Sequence, residues 1–304
     1  MQPRKEDFVR RQFCTLLGLI LALTLSTSAL AQSRGSIQIK GSDTMVNLGQ
    51  AWAEAFMEEH PDALIAVTGG GSGTGIAALI NGTCDIVQSS RDISEKELTL
   101  ATQNGREVKE IVAAIDALAF VVHPANPVFQ LTIDELSAIF TAHLTNWKGA
   151  GGRDQAILVL SRERNSGTHV YVLEEVVRKG NSKGPEEFAP TVLMMPSSQA
   201  IVQEVADNPA AIGYVGMGYL VPTVKAVSIF GEEAGDYVEP TLEHAVDGRY
   251  PLARPLLFYL PGTPDGIVKE FIDFVLSERG QSIVLDMDFV PLPKMKEQTA
   301  ESRE

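Results

Sequence analysis

Three short segments of this 304-residue chain combine hydroxyls and small residues at places where a helix could begin: Asp43-Thr44-Met45, Ser72-Gly73-Thr74 and Ser166-Gly167-Thr168. The first amides of a helix have no intrahelical acceptor, and the aligned peptide dipoles leave about half a positive charge there, so such turns attract anions. Glycine lets a tetrahedral oxyanion approach the amides, and hydroxyls supply donors that also accept. Each turn taken alone also fits a plain helix cap. Three of them together define a candidate anion cradle.

Two arginines accompany the turns. Arg162 stands four residues before Ser166, and Arg91 lies in the segment Gln88 to Ser94. A guanidinium presents a planar fork that can bond two oxygens of a phosphate, which makes Arg162 the expected principal charge partner. The competing role for Arg162 is a surface ion pair with Glu163, since Arg162 and Arg164 alternate and the sequence leaves open which points inward.

Other chemistries fit less well. The run Gly69 to Gly75 lacks the Lys-Ser/Thr ending of a nucleotide-binding P-loop, and Ser72 has Gly70 two residues before it but Thr74 two after, so it fails the G-x-S-x-G nucleophile pattern. His60, His123, His143, His169 and His244 show no metal-ligand spacing, and neither a metal nor a cofactor is expected. His169 follows Thr168 directly, and packing is the role expected of it.

The elements that must position these residues alternate strand and helix. Ser36 to Lys40 alternates apolar and polar residues as a strand, and Met45, Leu48, Trp52 and Phe56 recur at helical spacing until His60-Pro61. Ala63 to Thr68 reads as a strand leading through the glycine-rich turn into a helix with Ile76 and Ile80. Ile157 to Ser161 leads likewise into a helix bearing Val170, Leu173 and Val177. Ile111 to His123 and Tyr250 to Tyr259 are long apolar stretches, expected to cross between two lobes, with the helix Gly266 to Leu276 returning to the first. The acidic stretch Glu232 to His244 reads as a solvated loop.

Length also favours two lobes over one core. Hydrophobic residues at 44% and charged residues at 21% place the chain among globular proteins. Arg4, Lys5, Arg10 and Arg11 precede an apolar run from Phe13 to Leu25 and the triplet Ala29-Leu30-Ala31, the pattern of a secretory signal cleaved after residue 31. Cleavage removes Cys14 and leaves Cys84 alone, expected as a buried small hydrophobe. The formal charge is −14; the signal contributes four basic and two acidic residues, so the mature chain carries −16. So acidic a chain is a poor partner for nucleic acid, and any anion site in it must work through local, directed groups.

Several motifs carry a resemblance: Gly41-Ser42-Asp43-Thr44-Met45, Gly69 to Gly75, Ser89-Ser90-Arg91-Asp92-Ile93-Ser94, and Arg162 through Thr168. With Leu131-Thr132, Leu136 to Phe140, Asn146-Trp147, Ala211 to Val215, Tyr250-Pro251-Leu252 and Arg254-Pro255, they follow in order over nearly all of the mature chain. Together they resemble the substrate-binding proteins of phosphate-specific ABC transporters.

The resemblance implies an α/β protein with the type II periplasmic-binding-protein fold, two α/β lobes joined by two crossing segments with the ligand cleft between them. The expected division is a signal over 1–31, a first lobe of 36–115 plus 254–293, a second lobe of 116–253 and a polar tail over 294–304. Inorganic phosphate and the membrane permease subunits of an ABC transporter are the implied partners, with the protein monomeric, periplasmic and not an enzyme. Thr44 and the Met45 amide would bind from the first turn, Ser72 from the second, and Arg162, Ser166, Gly167 and Thr168 from the third, with Asp43, Ser90 and Arg91 completing the candidate set.

One departure bears on selectivity. Some members of the family hold an aspartate where Ser90 stands, which accepts the proton of hydrogen phosphate and rejects sulfate; here that task is expected to pass to Asp43 or Asp92, with Asp43 preferred, or to be weakened. Another tetrahedral oxyanion (sulfate, molybdate or tungstate) is the alternative ligand, and a secreted phosphatase-like enzyme the more distant alternative.

Overall fold

A computed structural model describes residues 35–293. The expected signal over 1–31 and the polar tail over 294–304 lie outside the described residues. The chain opens with β1 (Gly35–Gly41), a 3-10 turn (Asp43–Met45) and α1 (Val46–Glu59), followed by β2 (Ala63–Thr68), α2 (Ser72–Asn81), β3 (Ile86–Ser89) and α3 (Glu95–Gln103). Ile37 and Ile39 face the core from β1, and α1 buries Leu48, Trp52 and Phe56 at helical spacing. A capping box of Ser94 and Glu97 starts α3.

The 14-residue β4 (Lys109–Val122) then runs from one half of the molecule into the other. It leads to β5 (Gln130–Leu131), α4 (Ile133–Phe140), β6 (Leu158–Arg162) and α5 (Gly167–Val172), which continues as a π-helical turn over Leu173–Val177. Next come β7 (Leu193–Met195), α6 (Ser198–Asp207), β8 (Ala211–Gly216), β9 (Lys225–Ala226), β10 (Ser228–Gly231), β11 (Asp236–Val238) and α7 (Leu242–Val246). The chain returns through β12 (Ala253–Leu260) to α8 (Gly266–Leu276) and α9 (Glu278–Asp286).

Nine strands form one sheet in the order β2-β1-β3-β12-β4-β8-β6-β7, with β9 on β4. β1 pairs in parallel with β2 and β3, as strand–helix–strand units require. β4 joins the halves: residues 109–117 pair antiparallel with β12, and residues 118–122 pair antiparallel with β8. α8 and α9 pack back on α1, where Phe56 meets Phe271 edge-on at 5.4 Å and the Trp52 indole donates to the Gly280 carbonyl at 2.8 Å. On the far side of β4, Phe120, Phe140 and Tyr214 form a second aromatic cluster with centroids 5.6–5.8 Å apart. Among the described residues, no helix is long and apolar enough to cross a membrane.

The stretch Glu232 to His244 departs from the expected loop. It contains β11, which pairs antiparallel with β10, and the start of α7, capped by Thr241. Of its charges Asp236 lies on β11, in a small three-stranded sheet of order β11-β10-β5, whose strands are too short to read from sequence.

Candidate functional site

The three turns converge. The Asp43–Met45 turn follows the C-terminal end of β1, Ser72 begins α2 after β2, and Ser166 caps α5 after β6. Parallel strands carry their following helices at one edge of the sheet, so their helix starts gather there. Thr44 and Thr168 meet Oγ1 to Oγ1 at 2.9 Å. Ser42 donates to the Ser90 hydroxyl at 2.9 Å, Ser90 and Ser72 lie 3.4 Å apart, and the Ser90 amide donates to Ser72 Oγ at 3.1 Å. Thr44, Ser72, Ser90, Ser166 and Thr168 are all buried.

Gly167 makes this convergence sterically feasible. A Cβ there would stand 2.3 Å from Ser72 Oγ and 2.7 Å from Ser90 Oγ, well inside van der Waals contact. The amides of Gly167 and Thr168, at the first positions of α5, have no intrahelical acceptor. The Met45 amide is partly engaged, donating to the Ser42 carbonyl at 3.1 Å within its own turn.

Arg162 is buried, with 2% of its surface exposed, and does not form the surface pair with Glu163. Its Nη1 donates to Ser198 Oγ and its Nη2 to the Pro196 carbonyl, both at 3.1 Å, while Asp43 Oδ2 lies 3.3 Å from Nη2. Burial draws the guanidinium pKa below its usual value, and the nearby Asp43 carboxylate counteracts this. Nε is buried with no protein acceptor, a donor available to a ligand.

Asp43 plays a part that its own turn does not reveal. Its side chain caps no residue of that turn; Oδ2 accepts instead from the Ser198 amide at 2.9 Å, at the start of α6 across the cleft. An anion on a helix N-terminus and beside Arg162 is doubly compensated. The Tyr219 hydroxyl donates to the Asp43 carbonyl at 2.8 Å, tying the same turn to the other half of the molecule.

Arg91 differs from expectation. Its Nη1 and Nη2 form a fork with Glu97, at 2.9 and 2.7 Å, and Nη1 also donates to the Asp92 carbonyl. The physical reason is local: Glu97, held in the Ser94 capping box, offers both carboxylate oxygens a few residues away, and its pKa is lowered by its bonds to Arg91 and Ser94 against the opposing effect of burial. The second buried cation at the cluster is Arg254, from β12, with 3% exposed. It bonds Asp116 Oδ2 through Nε at 3.2 Å and Nη2 at 2.9 Å, the Ser90 carbonyl at 3.0 Å and Thr168 Oγ1 at 3.0 Å.

Asp116, on β4, is wholly buried and also accepts from the Met217 amide at 3.1 Å. Arg254-Pro255 is among the motifs that carry the resemblance, but neither Arg254 nor Asp116 is in the candidate set, although a signal exists for both. Asp116 is the lone charge between Ile111 and Val122, and Arg254 the lone charge between Tyr250 and Tyr259. A single charge inside an apolar strand needs a buried partner.

His169 sits behind the cradle, its Nδ1 3.1 Å from Ser161 Oγ and its ring 4.5 Å from that of Phe188. Burial pushes its pKa down to about 4, which keeps it neutral and makes it a packing residue. Cys84 is buried, with its thiol pushed up to about 11 by burial. Among the described residues, no group of three His, Cys, Asp or Glu side chains is arranged to hold a metal.

Residues 26–279 match the PBP superfamily domain. The phosphate-binding protein PstS of Pseudomonas aeruginosa is 33% identical over 276 residues, covering 85% of this chain and 84% of its own. PstS of Bacillus subtilis is 36% identical over 270 residues, covering 87% and 83%. The chain belongs to this phosphate-binding-protein family. Among solved structures, a substrate-binding protein of Clostridium perfringens with bound phosphate superposes with a TM-score of 0.75 at 35% identity, covering 85% of this chain and 100% of that one. Membership establishes the type II periplasmic-binding fold expected from the motifs. It also sets aside the phosphatase-like alternative, because the family is one of binding proteins.

Proposed function

We propose that this chain is a solute receptor that closes on one inorganic phosphate ion and delivers it to the permease subunits of an ABC importer. The observation that carries the reading is the buried Arg162, whose Nε–H has no protein acceptor and which pairs with Asp43 in the turn that brings Thr44 to the cluster of Ser72, Ser90 and Thr168. A desolvated oxyanion needs many directed donors and little net field from an acidic protein, and this cluster supplies donors of that kind.

In this reading residues 36–115 with 254–293 form one lobe and residues 116–253 the other, with β4 and β12 as the crossings. Thr44, Met45, Ser72 and Ser90 bind from the first lobe, Arg162, Ser166, Gly167 and Thr168 from the second. Ligand drives closure because only the closed state presents both sets at once. Asp43 acts through Arg162, which it faces, and Arg91 supports the first lobe through Glu97. Export through the N-terminal signal and a monomeric state complete the proposal.

A receptor for sulfate or another fully deprotonated oxyanion is the second reading, and the fate of the carboxylates favours it. Among the described residues, those at the cluster are Asp43, engaged by Arg162 and Ser198, and Asp116, engaged by Arg254 and Met217. Calorimetric titration of the signal-free protein, stripped of co-purified anion by partial unfolding and dialysis, separates the two. Tight one-to-one phosphate binding with sulfate, molybdate and tungstate silent supports the first reading; no heat with phosphate, or tighter binding of another oxyanion, overturns it.

A further inference from the structure

At the lip of the cleft the Gly73 amide and the Thr74 hydroxyl of the second turn are taken up by a contact across the cleft instead of facing an anion. Asn165, exposed in the loop before α5, reaches across to the glycine-rich turn before α2. Its Nδ2 donates to the Gly70 carbonyl at 2.7 Å and to Thr74 Oγ1 at 3.2 Å. Its own carbonyl accepts from the Gly73 amide at 2.9 Å. One residue of the second half thus makes three hydrogen bonds to three residues of the first, separated by more than ninety positions in the chain.

The opposing turn is shaped to receive it. A Cβ on Gly71 would lie 2.6 Å from the Asn165 carbonyl oxygen, and one on Gly73 would lie 3.2 Å from it. Gly71 also has φ 91°, a conformation that residues with a side chain rarely adopt. Part of the glycine-rich turn is therefore accounted for by the approach of Asn165, not by approach of an anion.

We infer that Asn165 is a latch that sets how long phosphate is retained, acting on the closed state rather than on the ligand. The inference rests on the phosphate reading above. A contact present only when the lobes meet stabilises the closed state by its own free energy whatever fills the cleft. It raises apparent affinity by making the binding-competent state cheaper to reach. Such a contact forms after the encounter, so its loss appears in the dissociation rate and leaves association nearly unchanged. Asn165 is therefore a positioning residue, and the kinetic split distinguishes it from one that binds phosphate or merely supports the fold.

The test compares the wild-type protein with Asn165→Ala and Asn165→Asp, using radiolabelled phosphate chased by excess unlabelled phosphate for the dissociation rate and equilibrium dialysis for the affinity. Asn165→Ala removes both side-chain bonds and leaves the backbone bond to Gly73. With net bonds of this kind each contributing on the order of half to one and a half kcal/mol, dissociation accelerates by about tenfold, with association within about twofold and the melting temperature of the phosphate-free protein unchanged. Asn165→Asp sets a carboxylate against the Gly70 carbonyl and accelerates dissociation further. Unchanged dissociation in both variants, or a loss of affinity expressed in slower association, overturns the latch while leaving phosphate binding intact. A wild-type protein that holds no phosphate overturns the receptor reading, and the latch with it.

Discussion

Replacing Arg162 by alanine removes the donor on which the proposed function most depends. The guanidinium is held by Ser198 Oγ, the Pro196 carbonyl and Asp43, and these fix the plane in which Nε is presented. Hydrogen bonds to charged groups contribute about 1.5–3 kcal/mol each, so a phosphate bonded by Nε and one terminal nitrogen loses about 3–6 kcal/mol, roughly two to four and a half powers of ten in Kd. Asp43 then faces the anion without its cation, which pushes in the same direction. Arg162→Lys keeps the charge but loses the fork, and an intermediate loss of about tenfold is expected. Calorimetric titration at fixed ionic strength measures both variants, with circular dichroism to establish that they are folded. A folded Arg162→Ala protein whose Kd lies within about threefold of wild type refutes the role given to Arg162. Equal affinities of the lysine variant and wild type refute the role given to its fork.

Gly167→Ala places a methyl 2.3 Å from Ser72 Oγ and 2.7 Å from Ser90 Oγ, so it should hold the lobes apart; titration should find phosphate affinity reduced by more than about a hundredfold with the melting temperature of the phosphate-free protein little changed. Asp116→Ala strands the buried Arg254 and should cost about 3–5 kcal/mol in urea unfolding, while Asp116→Ala combined with Arg254→Met should recover much of that loss. His169 has a folded pKa of about 4, below its unfolded value, so its neutral burial contributes stability fully present above pH about 6.5. That contribution, on the order of 3 kcal/mol, is lost as pH falls from about 6.5 to about 4, and urea midpoints across that window should fall less steeply in His169→Gln.

The sequence made parts of this architecture readable through local physics. Ile37 and Ile39 alternate because β1 has one face on the core, and Leu48, Trp52 and Phe56 recur because α1 presents one stripe to α8 and α9. The three hydroxyl-bearing turns were visible because each is contiguous in the chain. What they meet was not, because Thr44–Thr168, Asp43–Ser198 and Asn165–Gly70 join positions far apart in sequence. Arg91 illustrates the limit from the other side: composition places a cation beside Ser90, but Glu97 at the start of α3 captures its fork. Arg254 came from a strand that periodicity describes only as apolar, and its partner Asp116 sits on the strand paired with it. Glu232 to His244 looked like a loop because charge dominates its composition, while β11 is held by three backbone pairings with β10 that composition does not register.

In the proposed reading phosphate binds between the lobes, held by donors from both. Hydrogen exchange of the backbone amides with and without saturating phosphate tests it most directly. Residues 42–45 and 72–74 on one side and 166–169 on the other should gain protection together, along with Ser198 at the start of α6. Protection confined to one of these sides, or protection that sulfate reproduces and phosphate does not, would contradict it.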